Sequence, residues 1–528
     1  MVLFKKKTSP RRDRVRKRLA ANRFSRLSKL ANADVFASAM LWLLYAVVCV
    51  LILSLDLIRR KTYAEVLSVA VLTVLVSVAG VFYIRHYQKR IIRNPIRALA
   101  LVGLFLLLLA TTKVAVSLTG DLWWATGTAV TAAIILVIAY SQRFALGMSL
   151  FYCVFASFAA GPTADFNLFL TMAAGAVTCC FCLKEIRTRM KLLKVSTSAA
   201  VIVFATAFAG QFLAGAAAEQ SVPQLPRMMD MVRFAGFHAG ITLVVGMLIQ
   251  SLLPLIEKIF RIATSMTLLD YSDANQPLLK RLHMEAPGTF SHSLLIGSIA
   301  EAAAESIGCN GLLCRVGAYY HDVGKINKAG YFVENELGSA SRHKELAPTM
   351  SHLIIVGHIK DGIEMAKEYG LPTVLRQFIE THHGTTLIEP FYNEAKKLKA
   401  KDSKARNSKG KAAEVPSESE FRYPGPKPRT KEAAIVMLVD TSESAVRSLA
   451  EVTPTKIEAV VHNMAMKRLR DGQFDECELT LRELSQIEAS ISKTLAAHYH
   501  GRIAYPKPPD EPADDEADGK QVRQTNSK

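Results

Sequence analysis

Between residues 36 and 256 apolar residues run in long stretches separated by short polar joints. The stretches are roughly 18 to 25 residues long, the length at which a helix crosses about 30 Å of hydrocarbon. Eight of them fall at approximately 36–58, 65–84, 97–118, 122–140, 143–161, 165–183, 197–218 and 232–256. Runs of this kind cross lipid as helices, which satisfy their own backbone groups. From about residue 257 the pattern changes: apolar runs shorten, charge density rises, and apolar positions recur at helical spacing. This predicts helices over 289–307, 311–322, 346–369, 373–383, 431–450, 454–471 and 479–500, with few alternating β-branched runs between them. The expected fold is all-α, a polytopic helical membrane domain at 36–256 followed by an all-helical domain at 257–505.

Charge adds sidedness. The 528 residues carry 65 Lys and Arg against 46 Asp and Glu, a net +19, with half of the chain apolar. That combination excludes a single soluble globule and wholesale disorder. Eight cysteines are too sparse for a disulfide scaffold. Cys49, Cys153, Cys179, Cys180 and Cys182 lie in apolar runs and read as small hydrophobes. Basic residues in short loops stay on the cytoplasmic side. The segment 1–35, with KKK at 5–7 and RRDRVRKR at 11–18, and the loops 85–96 and 184–194 are therefore placed inside, while 119–121 and 219–230 face out. Eight crossings return the C-terminal half to the cytoplasm of an inner or plasma membrane; Arg59, Arg60 and Lys61 run against the bias. The basic segment reads as a cytoplasmic anchor on anionic lipid, not as a nucleic-acid arm. A cleaved signal peptide is not expected, because the run 36–58 is too long and ends in charge. Within the spans, His238 and Gln250 fit helix packing or a functional polar site. The lysine-rich then serine- and glutamate-rich stretch 394–420 reads as a solvated, flexible insertion, and 506–528 as a disordered tail.

Histidines and aspartates carry the candidate chemistry. His321 and Asp322 close an apolar helix before VGK, with Gly324 placed to end the helix and leave both side chains exposed at its tip. His382 and His383 precede Gly384 in the same way, and neighbouring residues converge most easily at a helix end. His292 and His358 add single imidazoles. Asp440 closes the apolar run AAIVMLV, where an ionised carboxylate needs a cationic partner; a metal, an N-cap role or a salt bridge each meets that need. Five imidazoles and two carboxylates are the ligand mix of a two-metal hydrolase and suit Mn, Fe, Zn or Ni better than Ca or Mg. Two ions bridged by a carboxylate about 3.5 to 4 Å apart activate water and clamp phosphate oxygens, so no protein nucleophile is required.

Read in order, PGTFSHSLLIGSIAEAAA (287–304), GAYYHDVGK (317–325), YFVEN (331–335), HIKDG (358–362), FIETHHGTT (378–386), FRYPGPKPRTKEAAIVMLVDTSESAVRS (421–448) and RLRDGQFDECELT (468–480) resemble the membrane-bound HD phosphodiesterases with a seven-span module that hydrolyse cyclic di-AMP. The resemblance reaches 502–506 and implies an all-helical cytoplasmic HD domain with two transition metals, Mn or Fe foremost. By motif, one ion would take His292, His321, Asp322 and Asp440, and the second Asp322, His358, His382 and His383. All positions are filled, which favours an active enzyme. Lys325, beyond Asp322, fits a phosphate contact, a charge stabiliser or a surface lysine. Phe421, Arg422, Tyr423 and Lys427 fit a substrate pocket or a rigid turn. His343 and His352 read as solvated. Members of the family usually carry a large extracytoplasmic sensor after the first span; here that loop is only about six residues around Arg59 to Ala64. The expected function is hydrolysis of a cyclic dinucleotide, with cyclic di-GMP hydrolysis, or a signalling receptor that binds nucleotide without turnover, as alternatives. The expected partners are the cyclic dinucleotide and the lipid bilayer, with no nucleic acid. Oligomeric state is not legible.

Overall fold

The computed structural model describes residues 36–55, 57–58, 62–92, 94–161, 164–184, 186–217, 225–336, 342–405 and 416–500. The basic segment 1–35, the Arg59 to Lys61 joint and the tail from 506 lie outside the described residues. The chain divides into two units, Met1–Pro277 with Ala366–Arg376, and Leu278–Met365 with Gln377–Lys528.

In the first unit, eight helices of membrane scale cover the eight apolar stretches: α1 (Phe36–Leu55), α2 (Tyr63–Tyr87), α4 (Pro95–Thr119), α5 (Trp123–Ala139), α6 (Gln142–Ala159), α7 (Phe166–Cys182), α8 (Arg189–Ala217) and α9 (Leu225–Phe260). A single turn, α3 (Lys89–Ile92), lies between α2 and α4. Five of them, α1, α2, α4, α8 and α9, are long and apolar enough to cross a membrane, and α5 and α7 are shorter apolar helices of 17 residues. The chain is a membrane protein. Its sequence sets the helix ends. Asn94 accepts hydrogen bonds from the Ile96 and Arg97 amides with Pro95 at the first helical position of α4, and Ser141 and Asp165 cap α6 and α7. Apolar side chains remain on the outside of α1 and α2, among them Leu43, Leu67 and Phe82, as expected of a lipid-facing surface. α5 is buried on all sides, which its small and β-branched residues allow. Inside, the Thr112 hydroxyl lies 2.6 Å from Thr128 Oγ1 and 3.1 Å from Tyr152 Oη, joining α4, α5 and α6. His238 Nδ1 lies 2.7 Å from Thr126 Oγ1, joining α9 to α5.

Among the described residues, the regular structure of the second unit is helical apart from one isolated bridge between Leu387 and Arg422. The short α10 (Ser265–Ser272) belongs to the first unit. The second holds α11 (Pro277–Glu285), α12 (Pro287–Ser306), α13 (Gly311–Tyr320), most of α14 (Pro348–Glu368), the end of α15 (Thr373–Thr381), α16 (Glu389–Ala405), α17 (Lys431–Arg447), α18 (Pro454–Arg470) and α19 (Leu481–His500). The last residues of α14 and the first of α15 belong to the first unit. The core is made by α12, α13, α17, α18 and α19. α17 is at its centre: every residue from Ala433 to Val439 is buried, so the helix is apolar all round.

Three sequence expectations change. The reading of 394–420 as a solvated loop fails up to Ala405, because Tyr392 and Ala395 of α16 pack on Phe421 and give the lysine-rich stretch a face to bury. Residues 406–415 lie outside the described residues. α13 ends at Tyr320, and His321 and Asp322 are buried, 0 % and 2 % exposed, not presented at an open tip. Gly324 does not end a helix in the left-handed region; it is the second residue of a 3-10 segment, Val323–Tyr331, pressed against α14. A Cβ there would lie 1.8 Å from the His358 carbonyl oxygen and 2.5 Å from the Gly362 amide nitrogen, so this approach requires glycine.

Candidate metal centre

Five segments of the second unit bring seven side chains together. His292 lies one turn into α12. His321 and Asp322 follow α13, His358 lies midway along α14, His382 and His383 follow α15, and Asp440 lies in the third turn of α17. Gly384, at φ +54°, turns the chain away immediately after the histidine pair, as its position predicts. Ligand atoms of Asp322, His358, His382 and His383 all lie within 4.8 Å of one another, and those of His292, His321 and Asp440 form a second such group.

Hydrogen bonding settles which nitrogen each ring offers. His321 Nδ1 lies 2.6 Å from the Ala318 carbonyl oxygen, and His382 Nδ1 lies 3.0 Å from that of Phe378 and 3.1 Å from that of Ile379. His358 Nδ1 donates to the Ile355 carbonyl oxygen. A carbonyl only accepts, so each Nδ1 carries a proton, and in the neutral imidazole each Nε2 presents a lone pair. The Nε2 atoms of His358 and His382 then face each other at 3.1 Å. Both lie 3.5 Å from Asp322 Oδ1, which is buried without a hydrogen-bond partner. His321 Nε2, also buried and unpartnered, lies 3.1 Å from Asp322 Oδ2 and 3.9 Å from Asp440 Oδ1. Acceptors aimed at acceptors in a buried site repel one another, and each unpaired one costs about 1–3 kcal/mol. A cation between them removes both penalties, so the donor set fits divalent transition metals.

Electrostatics agree with that arrangement. Burial favours neutral imidazole, holding His358 near pKa 3 and His383 well below the usual range. Burial alone would raise Asp322, but His321 and Lys325 outweigh it and keep the carboxylate ionised. Asp440 is likewise held low, against burial, by its hydrogen bond to His292 and by His321. His292 is different. Burial works against its charge, yet Asp440 Oδ1 at 3.1 Å and Glu443 Oε2 at 3.0 Å outweigh it and push its pKa up to about 9.

Lys325 is not a surface lysine: its ammonium lies 2.7 Å from Asp322 Oδ2 and 2.7 Å from Glu334 Oε1. Glu334 belongs to the YFVEN turn, which docks on the start of α12, where Thr289 Oγ1 donates to Glu334 and the Thr289 amide to Asn335 Oδ1. Sequence reasoning missed Glu443 and Glu334. Glu443 lies three residues after Asp440 and hence on the same helical face, and that spacing was the available signal.

The turn 421–427 divides. Tyr423 is buried, with its ring stacked on His383 at a centroid distance of 4.2 Å, and its hydroxyl makes no hydrogen bond to the described residues. Arg422 Nη1 is taken by Asp471 Oδ1 at 3.0 Å and the Thr385 carbonyl at 2.9 Å. Lys427 is taken by the Gly472 carbonyl at 2.6 Å and Asp475 at 3.1 Å. Phe421 is in a small core with Tyr392. The reading of His343 and His352 as solvated fails. His352 is buried edge-on to Phe421, and half-buried His343 lies with Nε2 2.8 Å from the Tyr331 carbonyl oxygen, because the turns around α14 fold over them.

Comparison with known proteins follows the same division. Residues 63–264 match the family described as 7TM receptor with intracellular HD hydrolase, beginning on the first residue of α2 and ending just past α9. Residues 289–445 match the HD domain family, from α12 to the end of α17. The cyclic-di-AMP phosphodiesterase PgpH of Bacillus subtilis is 41% identical over 284 residues, 54% of this chain and 37% of that protein. The protein of the same name from Listeria monocytogenes is 41% identical over 273 residues, 52% of this chain and 35% of that protein. The match thus spans about a third of the length of these curated relatives. The crystal structure of the L. monocytogenes PgpH HD domain is 42% identical, and its complex with cyclic-di-AMP 41%. Each covers 43% of this chain and 100% of the solved chain, with a TM-score of 0.39.

Proposed function

The chain belongs to the family of 7TM receptors with an intracellular HD hydrolase, and on that premise we propose that it is a membrane-anchored, metal-dependent phosphodiesterase that opens cyclic di-AMP to linear pApA. One observation carries the reading: seven side chains converge in two groups, with the Nε2 atoms of His358 and His382 turned on one another and on Asp322 Oδ1. We assign His292, His321, Asp322 and Asp440 to one divalent ion and Asp322, His358, His382 and His383 to a second, with Mn or Fe as the metals. Ions of this kind, when bound, supply an activated water and positive charge for phosphate oxygens.

The residues of the chain prepare that site. Lys325 holds Asp322 in place and ionised, and Glu334 holds Lys325. Glu443 orients His292 from behind. The Tyr423 hydroxyl is free to meet substrate, while Arg422 and Lys427 act by fixing the turn that carries it. Hydrolysis adds the oxygen of water to one phosphorus, breaks its bond to a 3′ oxygen and leaves a proton on that oxygen. The names of the matched relatives support adenine as the base. The basic loops 85–96 and 184–194 support a cytoplasmic N-terminus and a cytoplasmic second unit. Turnover of cyclic di-AMP and cyclic di-GMP by the purified chain loaded with Mn or Fe tests the reading. Conversion of cyclic di-AMP to pApA, abolished by Asp322→Ala, is the expected result. Retention of nucleotide without cleavage under either metal would assign a receptor instead, and preference for cyclic di-GMP would overturn the substrate.

A further inference from the structure

A cavity of about 610 Å³ opens at the C-terminal end of α18, its charged lining made by Arg422, Lys467, Arg468 and Arg470 with Glu389, Glu418 and Asp471. Its charges do not cancel. Arg422 takes Asp471 at 3.0 Å and reaches Glu418 at 3.7 Å, and Lys467 takes Glu389 at 2.8 Å. The three carboxylates are thereby occupied, and neither Arg468 nor Arg470 has a carboxylate within 4.0 Å among the described residues. Arg468 is the more telling. Its Nε is buried without a hydrogen-bond partner, and its single side-chain bond runs from Nη2 to Thr441 Oγ1 at 2.9 Å. Thr441 follows Asp440, so the guanidinium lies against the helix turn that carries a candidate metal ligand, and its charge is felt by both Asp440 and the Tyr423 hydroxyl. A guanidinium that lines an open cavity and has no carboxylate partner presents N–H donors that match two oxygens of a tetrahedral oxyanion such as phosphate.

We propose that this cavity is an anion subsite of the metal centre, in which Arg468, with Arg470 at the rim, binds the phosphate of a dinucleotide that is not being cleaved. The inference rests on the phosphodiesterase reading and adds to it a residue that sets affinity for substrates with a second phosphate. Arg468 is a binding residue here, and Arg470 contributes longer-range charge.

The test uses the full chain in detergent or nanodiscs, with Arg468→Gln, Arg468→Lys and Arg470→Gln. Expected are an increase in KM for cyclic di-AMP of tenfold or more for Arg468→Gln, a smaller one for Arg470→Gln, and partial rescue by Arg468→Lys. Metal content should not change, and KM should depend less steeply on salt in the glutamine variants. AMP should compete with substrate in the wild type and more weakly in Arg468→Gln. Unchanged KM in a folded, metal-loaded Arg468→Gln overturns the proposal. So does loss of metal or of thermal stability in both Arg468 variants with KM unchanged, which would assign a structural role, and so does AMP acting on kcat alone, which would mark a separate effector site. If the wild type cleaves no cyclic dinucleotide, the phosphodiesterase reading has failed separately. Equilibrium binding of cyclic di-AMP then decides the subsite: weaker binding by Arg468→Gln supports it, and equal binding rejects it.

Discussion

His292 differs from the other imidazoles of the cluster because two carboxylates face its two nitrogens. Without metal it therefore carries a proton up to about pH 9, and an ion must displace that proton to bind. Affinity at this position is expected to rise by up to about tenfold for each pH unit below 9 and to level off above it. Metal titrations between pH 7 and 10 measure this. Glu443→Gln removes one of the two partners and is expected to flatten the pH dependence. It should also weaken metal binding by about 10- to 100-fold, as loss of a group that orients a ligand does. Lys325 makes the opposite case. Lys325→Met leaves Asp322 and Glu334 as buried carboxylates without their cation, and a loss of about 3–5 kcal/mol in denaturant unfolding is expected. The clustered residues were legible, since HD and HH before glycines stand out in the chain. Their burial was not, because it depends on α14 and the YFVEN turn closing over them from far away in sequence.

At the scale of elements, helical periodicity placed α12 to α15 and α17 to α19 to within a few residues. It failed for α10, α11 and the 3-10 segments, which are too short to show a period. It also failed for α16, whose apolar contacts are few and whose lysines resemble a loop. The 3-10 segment after Asp322 sets the spacing between the two ligand groups, and Gly324 allows its approach to α14. Gly324→Ala drives a Cβ into the His358 carbonyl, so either α14 or Asp322 must move. The expected outcome is a fall of several °C or more in Tm together with loss of metal, measured by thermal unfolding and elemental analysis. A variant that keeps both ions and full stability would show that the segments are not in close register.

For the whole molecule, the hydrophobic pattern changes near residue 257, within α9, whereas the two compact units divide at Pro277. Each of the eight apolar stretches is covered by one helix, and five of those helices are long and apolar enough to cross a membrane. The proposed orientation rests on the basic loops 85–96 and 184–194. Asp121→Cys, between α4 and α5, should be labelled by a membrane-impermeant thiol reagent in intact cells, whereas Lys184→Cys, after α7, should be labelled only after lysis. Equal labelling of both would reject the proposed sidedness. Which signal the bundle receives was not legible in the sequence, since the apolar pattern specifies crossing and says nothing of a ligand.

The central claim is that two ions act together on a phosphodiester, and the most direct test is to strip the purified chain of metal and restore Mn stepwise while following cyclic di-AMP hydrolysis. No turnover is expected without metal, with activity rising as the second equivalent per chain binds. Full activity in the metal-free chain or at one equivalent, or none at two, would contradict it.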